Sequence, residues 1–405
     1  MKKSKMGLLL LAAVLVISFT VPAYAYEEKQ AKIYPLEYAW EEFWYDDAAP
    51  SVTFTGDFNV RGMLLMEAST GRILYAKDEN NEVPLASVTK IMSTLLVMEA
   101  IQEGKIKLTD MVTVSQRAAS MGGSQVFLEF GEQMSVDDML KSLIVVSAND
   151  ATVALAEHVY GSEETFIAQM NKRAKELGMM HTNFVNTNGL DIDGHYSSAY
   201  DVALMTRELL KYPLVTKYST IWMDTIRNGE FGLANTNKLI RFYQGANGMK
   251  TGFTSTAKYC LSGTALRDGL QLIAVVLGAE SSDDRFAVTK KLLDFGFANY
   301  TAMKPEKIAL DPIVTNGGVE LTTALDYTPP SLLLEKGQAK VETKIELPDS
   351  INAPVAKGET VGVVRYYVGG TEVGNAPIYC AEQNDKINFW IIFGRIWENL
   401  IGIKK

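Results

Sequence analysis

The chain is poor in the residues that metal and disulfide chemistry need. It has 3 histidines and 2 cysteines in 405 residues. No histidines stand as HxxxH or HExxH, which removes the common zinc-hydrolase layouts. Cys260 and Cys380 lie far apart, one in the apolar stretch "KYCLSGTAL" and one near the end of a different region, and they read as two free, buried thiols. A disulfide between them is the competing reading, because the N-terminus points to an oxidising compartment. Positive charge is also scarce. Three of the 39 Lys and Arg fall in the first 25 residues, which leaves 36 against 48 Asp and Glu. Nucleic acid is therefore not an expected partner, since phosphate contacts need clustered cations. Internal repeats and low-complexity tracts are absent.

The one long apolar run lies at the N-terminus. Lys2, Lys3 and Lys5 precede Gly7 to Ile17, and Ala23-Tyr24-Ala25 has the small-x-small pattern of a cleavage site. Residues 1–25 read as a secretory signal, with an uncleaved anchor as the alternative. Residues 26–56 are rich in Glu, Tyr and Trp and read as an extended arm.

From residue 57 the pattern is strands, then helices, then strands. Two short strands joined by Ser69-Thr70-Gly71 are followed by a helix from about Val88 to Ile101. Further helical periods cover Val136–Val146, Ala151–Tyr160, Glu164–Leu177 and Tyr200–Lys211. Strands return at Lys258–Leu266 and Leu270–Gly278 around an Arg267-Asp268-Gly269 turn, and a helix at Asp283–Phe295 closes the region. This order predicts an α+β domain over 57–302. Residues 303–385 alternate without helical period and read as a small all-β domain, with a hairpin turned at Gly369-Gly370. Residues 386–405 read as an amphipathic helix. Phe389, Phe393, Ile396, Trp397, Leu400 and Ile403 share one face, and Arg395, Glu398, Asn399 and Gly402 the other. Such a helix suits a membrane surface; packing on its own domain, or a true span, are the alternatives.

Three short motifs carry chemistry. Ser87-Val88-Thr89-Lys90 precedes an almost unrelieved apolar run. On a helix, Ser87 and Lys90 at i and i+3 meet, and burial favours the neutral amine. A neutral lysine beside a serine is a general base beside a nucleophile. Ser147-Ala148-Asn149 sits between two helical patterns and offers a hydroxyl and a carboxamide, although a helix cap would look the same. Lys250-Thr251-Gly252 opens a strand, with a cation and a hydroxyl for a carboxylate and a glycine that leaves room for substrate backbone. Each motif alone is common. In the order S-x-x-K, S-x-N, K-T-G they form the signature of penicillin-binding proteins and class A β-lactamases.

The stretches "LLMEASTGRILYAKDENNEVPLASVTKIMSTL", "AASMGGSQVFLEFGE", "NTNGLDIDGHYSSAYDVALM" and "GMKTGFTSTAKYCLSG" widen the match. Over nearly the whole length after the signal, the chain resembles the low-molecular-mass serine D-Ala-D-Ala carboxypeptidases of the penicillin-binding-protein-5 type. The resemblance implies a β-lactamase/transpeptidase-like catalytic domain, an antiparallel sheet plus a helical cluster. A small β domain and a membrane-tethering tail would follow. It implies Ser87 as the acylated nucleophile and Lys90 as its base. Ser147 would serve proton transfer, Asn149 the substrate amide, and Lys250 and Thr251 the terminal carboxylate. Arg285 in "DDRFAVTKK" would lie near that carboxylate, and the backbone N–H groups of Ser87 and Phe253 would form the oxyanion hole. Ala148 stands where glycine is frequent in the family. His195 is read as scaffold. No metal or organic cofactor is implied. The expected partners are peptidoglycan stem peptides, β-lactams as covalent inhibitors, and the outer face of the bacterial cytoplasmic membrane. The rival readings are a serine β-lactamase, a D,D-endopeptidase and a non-catalytic wall-binding protein. The first lacks an E-x-x-L-N between Asn149 and Lys250.

Overall fold

The computed structural model describes residues 54–401, apart from Asp57 and Ala339. The signal segment and all but the last three residues of the arm lie outside these residues. So does the end of the tail, including Ile403.

A five-stranded antiparallel sheet organises the first part of the chain. Its strands are β1 (Gly62–Glu67), β2 (Ile73–Lys77), β3 (Ala246–Thr254), β4 (Lys258–Arg267) and β5 (Leu270–Ala279). Their order is β2-β1-β5-β4-β3. The pleat sends alternate residues to opposite faces. Met63 and Leu65 of β1 join Leu272, Ala274 and Val276 of β5 in one core. Leu64 and Met66 join Ile273, Val275 and Leu277 in the other. Both faces are covered, so these strands read as nearly unbroken apolar runs.

The first core is closed by α6 (Ser282–Asn299), through Phe286, Val288, Leu292 and Leu293. The second is closed by a cluster of five helices. These are α1 (Lys90–Gln102), α2 (Val136–Val145), α3 (Asn149–Tyr160), α4 (Glu163–Glu176) and α5 (Ala199–Leu209). Ser135, Ser162, Ser198 and Ser281 cap α2, α4, α5 and α6, each accepting a bond from the backbone N–H three residues on. Helix α1 is apolar on nearly every side and lies at the centre of the cluster.

The three hairpins expected from sequence are present, and β1 and β2 pair antiparallel across Ser69-Thr70-Gly71. Asp268 and Gly269 turn β4 into β5 with positive φ. Gly369 and Gly370 do the same between β8 (Thr360–Val368) and β9 (Thr371–Cys380). The part of the chain after Met303 is built of strands around Tyr327, Val364, Tyr366 and Ile378. Strand β6 (Tyr300–Met303) pairs antiparallel with β7 (Leu332–Glu335), so the end of α6 leads directly into it. Cys260 and Cys380 are both free and buried. The tail forms α7 (Phe389–Ile401). The α+β architecture with a following all-β part agrees with the sequence reading.

Candidate active site

Ser87 lies in a 3-10 turn, Ala86–Thr89, and Lys90 opens α1 directly after it. The sequence reading starts the α-helix near Ser87. The structure winds this stretch tighter, and in a 3-10 turn residues i and i+3 eclipse. Lys90 Nζ stands 2.8 Å from Ser87 Oγ. The turn is braced from behind. Ala86 takes a positive φ of 48°. Its carbonyl accepts a 2.8 Å bond from Thr89 Oγ1. His195 Nε2 stands 2.8 Å from that same hydroxyl. The Val185 N–H donates to His195 Nδ1, so Nε2 carries the proton and donates to Thr89. Burial pushes His195 down to about 4, against the opposing charge of Asp191, so the ring is neutral. This is the scaffold role read from the sequence.

The surroundings of Lys90 select its protonation state. The side chain is fully buried, at 0% exposure. Burial, then the Lys250 ammonium, holds Lys90 well below the ordinary lysine range, with Asp150 pulling the other way. Nζ has three polar neighbours. Two can only accept: Asn149 Oδ1 at 2.7 Å and the Asn188 carbonyl at 2.9 Å. The orientation of the Asn149 amide follows from Nδ2, which donates to the Gly122 carbonyl at 2.6 Å. A neutral amine has two N–H donors and one lone pair. The two acceptors take both donors, and the lone pair is left for the Ser87 hydroxyl. The geometry therefore fits an amine ready to take the serine proton.

Ser147 and Asn149 enter from the α2–α3 junction. Asn149 begins α3 and reaches Lys90 as described. Ser147 has a left-handed backbone, φ 65°, and its buried hydroxyl has no partner among the described residues. Ser147 does not cap α3; Ala148 occupies the cap position without a side-chain bond. A non-glycine residue held in that conformation is strained. Next to them, the Asp150 carboxylate accepts from the N–H groups of Val126, Leu128 and Ala151 and fixes the facing loop.

Strand β3 supplies the other wall. Lys250 is buried and donates to the Thr251 carbonyl. Burial and then the Arg285 guanidinium push it down to about 7. Thr251 Oγ1 pairs with Thr236 Oγ1 at 2.7 Å. The sequence reading makes Gly252 leave space for substrate. Here that space is taken by the nucleophile turn. A Cβ on Gly252 would lie 2.7 Å from the Leu85 carbonyl oxygen and 3.0 Å from Ser87 N. The glycine therefore lets β3 press against the Leu85–Ser87 backbone. The Phe253 ring is exposed and packs on Tyr259 at 4.3 Å. Arg285 comes from α6 and binds main chain, donating to the Gly252 carbonyl at 2.9 Å and more weakly to that of Cys260. A cleft of about 330 Å³ opens beside the turn, between Pro84–Ala86 and the 189–196 segment.

All nine residues singled out from sequence thus lie on the nucleophile turn, the first residue of α1, the α2–α3 junction, β3, or α6, from which Arg285 reaches the Gly252 carbonyl of β3. Sequence reasoning missed Asn188, Gly122, Gly189 and Thr236. The first two act through main-chain carbonyls, which carry no residue-type signal. Among the described residues no group of His, Cys, Asp and Glu could hold a metal ion.

A Ser–Lys pair at the head of a buried helix, faced by a K-T-G strand at the edge of an antiparallel sheet, defines a penicillin-binding-protein type of fold and site. Comparison with known proteins narrows this. Residues 49–281 match the family described as D-alanyl-D-alanine carboxypeptidase, and residues 318–386 match the penicillin-binding protein 5 C-terminal domain. The D-alanyl-D-alanine carboxypeptidase DacF of Bacillus subtilis is 44% identical over 340 residues, covering 81% of this chain and 87% of that protein. Penicillin-binding protein 5 from Haemophilus influenzae superposes with a TM-score of 0.73 at 32% identity, over 83% of this chain and 100% of that one. Penicillin-binding protein D2 from Listeria monocytogenes, solved in its cefotaxime-bound form, gives 0.56 at 31% identity, over 60% of this chain and 100% of that one. The chain belongs to the D-alanyl-D-alanine carboxypeptidase family.

Proposed function

We propose that this chain removes the terminal D-alanine from peptidoglycan pentapeptides through an acyl-enzyme on Ser87. One observation carries the reading: Lys90 Nζ lies 2.8 Å from Ser87 Oγ, with two obligate acceptors on its remaining sides. Ser87 Oγ attacks the carbonyl of the D-Ala-D-Ala amide while its proton passes to Lys90. The Ser87 and Phe253 N–H groups hold the oxyanion; such donors are worth about 3 kcal/mol of barrier each. Collapse breaks the C–N bond, and the departing amine of D-alanine takes a proton from Lys90; Ser147, whose buried hydroxyl has no partner among the described residues, is assigned to assist that transfer. Water then hydrolyses the ester and frees Ser87. The terminal carboxylate lies against Lys250 and Thr251, in a site whose buried cations suit an anion. Asn149 faces the substrate amide, and Arg285 braces the strand behind it. A β-lactam opens on the same serine, but its leaving nitrogen stays tethered, so the ester persists.

The test is mass spectrometry of the purified protein after benzylpenicillin, with peptide mapping, followed by assay of D-alanine release from a pentapeptide. The expected result is a single adduct on the Ser87 peptide together with D-alanine release. An adduct elsewhere would overturn the nucleophile. Intact penicillin with no adduct would favour the non-catalytic reading, and rapid penicillin loss with no adduct the β-lactamase.

The tail supports attachment to the outer face of the cytoplasmic membrane. Helix α7 stacks Phe389, Phe393 and Trp397 in a line, with ring centroids 6.1 and 6.2 Å apart. These rings and Trp390 are exposed. Arg395, placed on the other face by the sequence reading, pairs with Glu320 at 2.8 Å. Among the described residues no helix is long and apolar enough to cross a membrane. An amphipathic helix lying in the interface fits this pattern. Deleting residues 387–405 should leave pentapeptide activity unchanged and abolish co-sedimentation with anionic phospholipid vesicles. Loss of activity in the truncated protein would make the tail structural instead.

A further inference from the structure

We propose that Glu163 is a positioning residue for Lys90, through which one buried carboxylate holds both chain segments that set the acceptors of the Lys90 amine. This rests on the reading of Lys90 as the base. Glu163 opens α4 and is 7% exposed. Its Oε1 accepts from Thr187 Oγ1 at 3.0 Å and its Oε2 from Arg117 Nε at 2.9 Å. Each bond leads to one of the two acceptors.

Thr187 directly precedes Asn188, whose carbonyl takes the first Lys90 N–H. The Thr187 carbonyl is pinned in turn by Ser93 Oγ, 2.6 Å away and one turn along α1 from Lys90. Arg117 belongs to the short helix Gln116–Ala119. The chain leaving that helix reaches Gly122, whose carbonyl binds Asn149 Nδ2 and so turns Oδ1 toward Lys90. Asn188 and Asn149 together decide where the lone pair points. An acid in the first turn of a helix is ordinarily explained by the helix dipole. Glu164, next to it, is exposed and fits that account. Glu163 is instead turned inward and spends both oxygens on other segments.

The charged groups facing the pair are few. Arg117 faces Glu163, and Lys250 and Asp150 face Lys90. Removing the Glu163 carboxylate takes away one of the two side-chain tethers on Thr187, leaving Ser93, and so loosens the Asn188 carbonyl and the amine it orients. A misplacement of about 1 Å costs on the order of a hundredfold in rate. A looser, wetter Lys90 also binds its proton more tightly.

The experiment is the pH profile of acylation by benzylpenicillin in the full chain, resolved into the acylation rate constant and the preceding dissociation constant. Glu163→Ala is expected to lower the rate constant by about 10- to 100-fold. It should also move the acid limb upward by about one pH unit. The dissociation constant should hold, because Lys250 and Thr251 are untouched. Glu163→Gln keeps an acceptor for Thr187 and should restore much of the rate. Arg117→Ala, at a half-exposed side chain, should shift both readouts in the same direction by less. A rate and limb equal to wild type in Glu163→Ala would overturn the proposal. So would a Glu163→Ala that fails to fold alongside wild-type profiles for the other two variants. Failure of wild-type protein to form the Ser87 adduct would instead remove the functional reading itself.

Discussion

Lys90→Met should leave a folded protein whose acylation by benzylpenicillin is slower by about 10²- to 10⁴-fold, the range for loss of a general base. Methionine fills much of the same volume in a site with 0% exposure and carries no charge. The variant leaves Asn149 Oδ1 and the Asn188 carbonyl without the donor they share. It also removes a lysine that burial disfavours as a cation. These two effects oppose each other, so the melting temperature should stay within about 5 °C of wild type. Circular dichroism melts and stopped-flow acylation check the two halves separately. Near-normal acylation in a folded Lys90→Met would end the assignment of Lys90 as base. The wild-type pH profile adds a second constraint. Acylation needs neutral Lys90, held low by burial, and carboxylate binding needs protonated Lys250, pushed down to about 7. The kcat/KM of a carboxylate-bearing peptide should therefore fall on the alkaline side as free Lys250 loses its proton. In kcat the same limb should lie higher, because a bound carboxylate raises the Lys250 pKa. A kcat/KM profile flat across neutral pH would remove Lys250 from carboxylate recognition.

Residue type accounts for what was legible in the sequence. Ser87, Lys90, Asn149, Lys250 and Thr251 carry side chains whose chemistry is readable from identity and order, and the structure gathers them in one place. The sheet strands were readable as short apolar runs bounded by turn residues, and the glycine-containing hairpins from those turn residues. What stayed hidden acts through backbone or through neighbours distant in sequence. The Asn188 carbonyl meets Lys90 across 98 positions. The short pairings Met111–Thr113 with Gln133–Ser135, and Met223–Ile226 with Phe231–Ala234, give too few residues for a period to emerge. The 3-10 winding at Ser87 was hidden for a tertiary reason. Gly252 and Gly189, both distant in sequence, pack against its backbone.

Gly189→Ala should be the most damaging single methyl group in this region. Gly189 has φ 86°, and a Cβ there would overlap the Ala86 carbonyl oxygen and carbon. Both are backbone atoms of the nucleophile turn, so no rotamer change can relieve the overlap. A third contact, Thr89 Oγ1 at 2.8 Å, is the hydroxyl that braces that carbonyl. The chain must back away, and the adjoining Asn188 carbonyl leaves Lys90 with it. The expected cost is about 3 kcal/mol or more of stability. A fall in acylation of about a hundredfold or more should accompany it. Gly194→Ala is the matched control. It lies in the same segment at φ 82°, but the nearest atom to its Cβ is a Val185 methyl at 3.8 Å. That variant should show only the left-handed backbone penalty of about 1 kcal/mol and acylate normally. The comparison separates strain from contact, because both glycines have nearly the same positive φ. Equal acylation rates in the two variants would mean that the 189 segment does not shape the nucleophile turn, and that Ser87 is held by β3 and His195 alone.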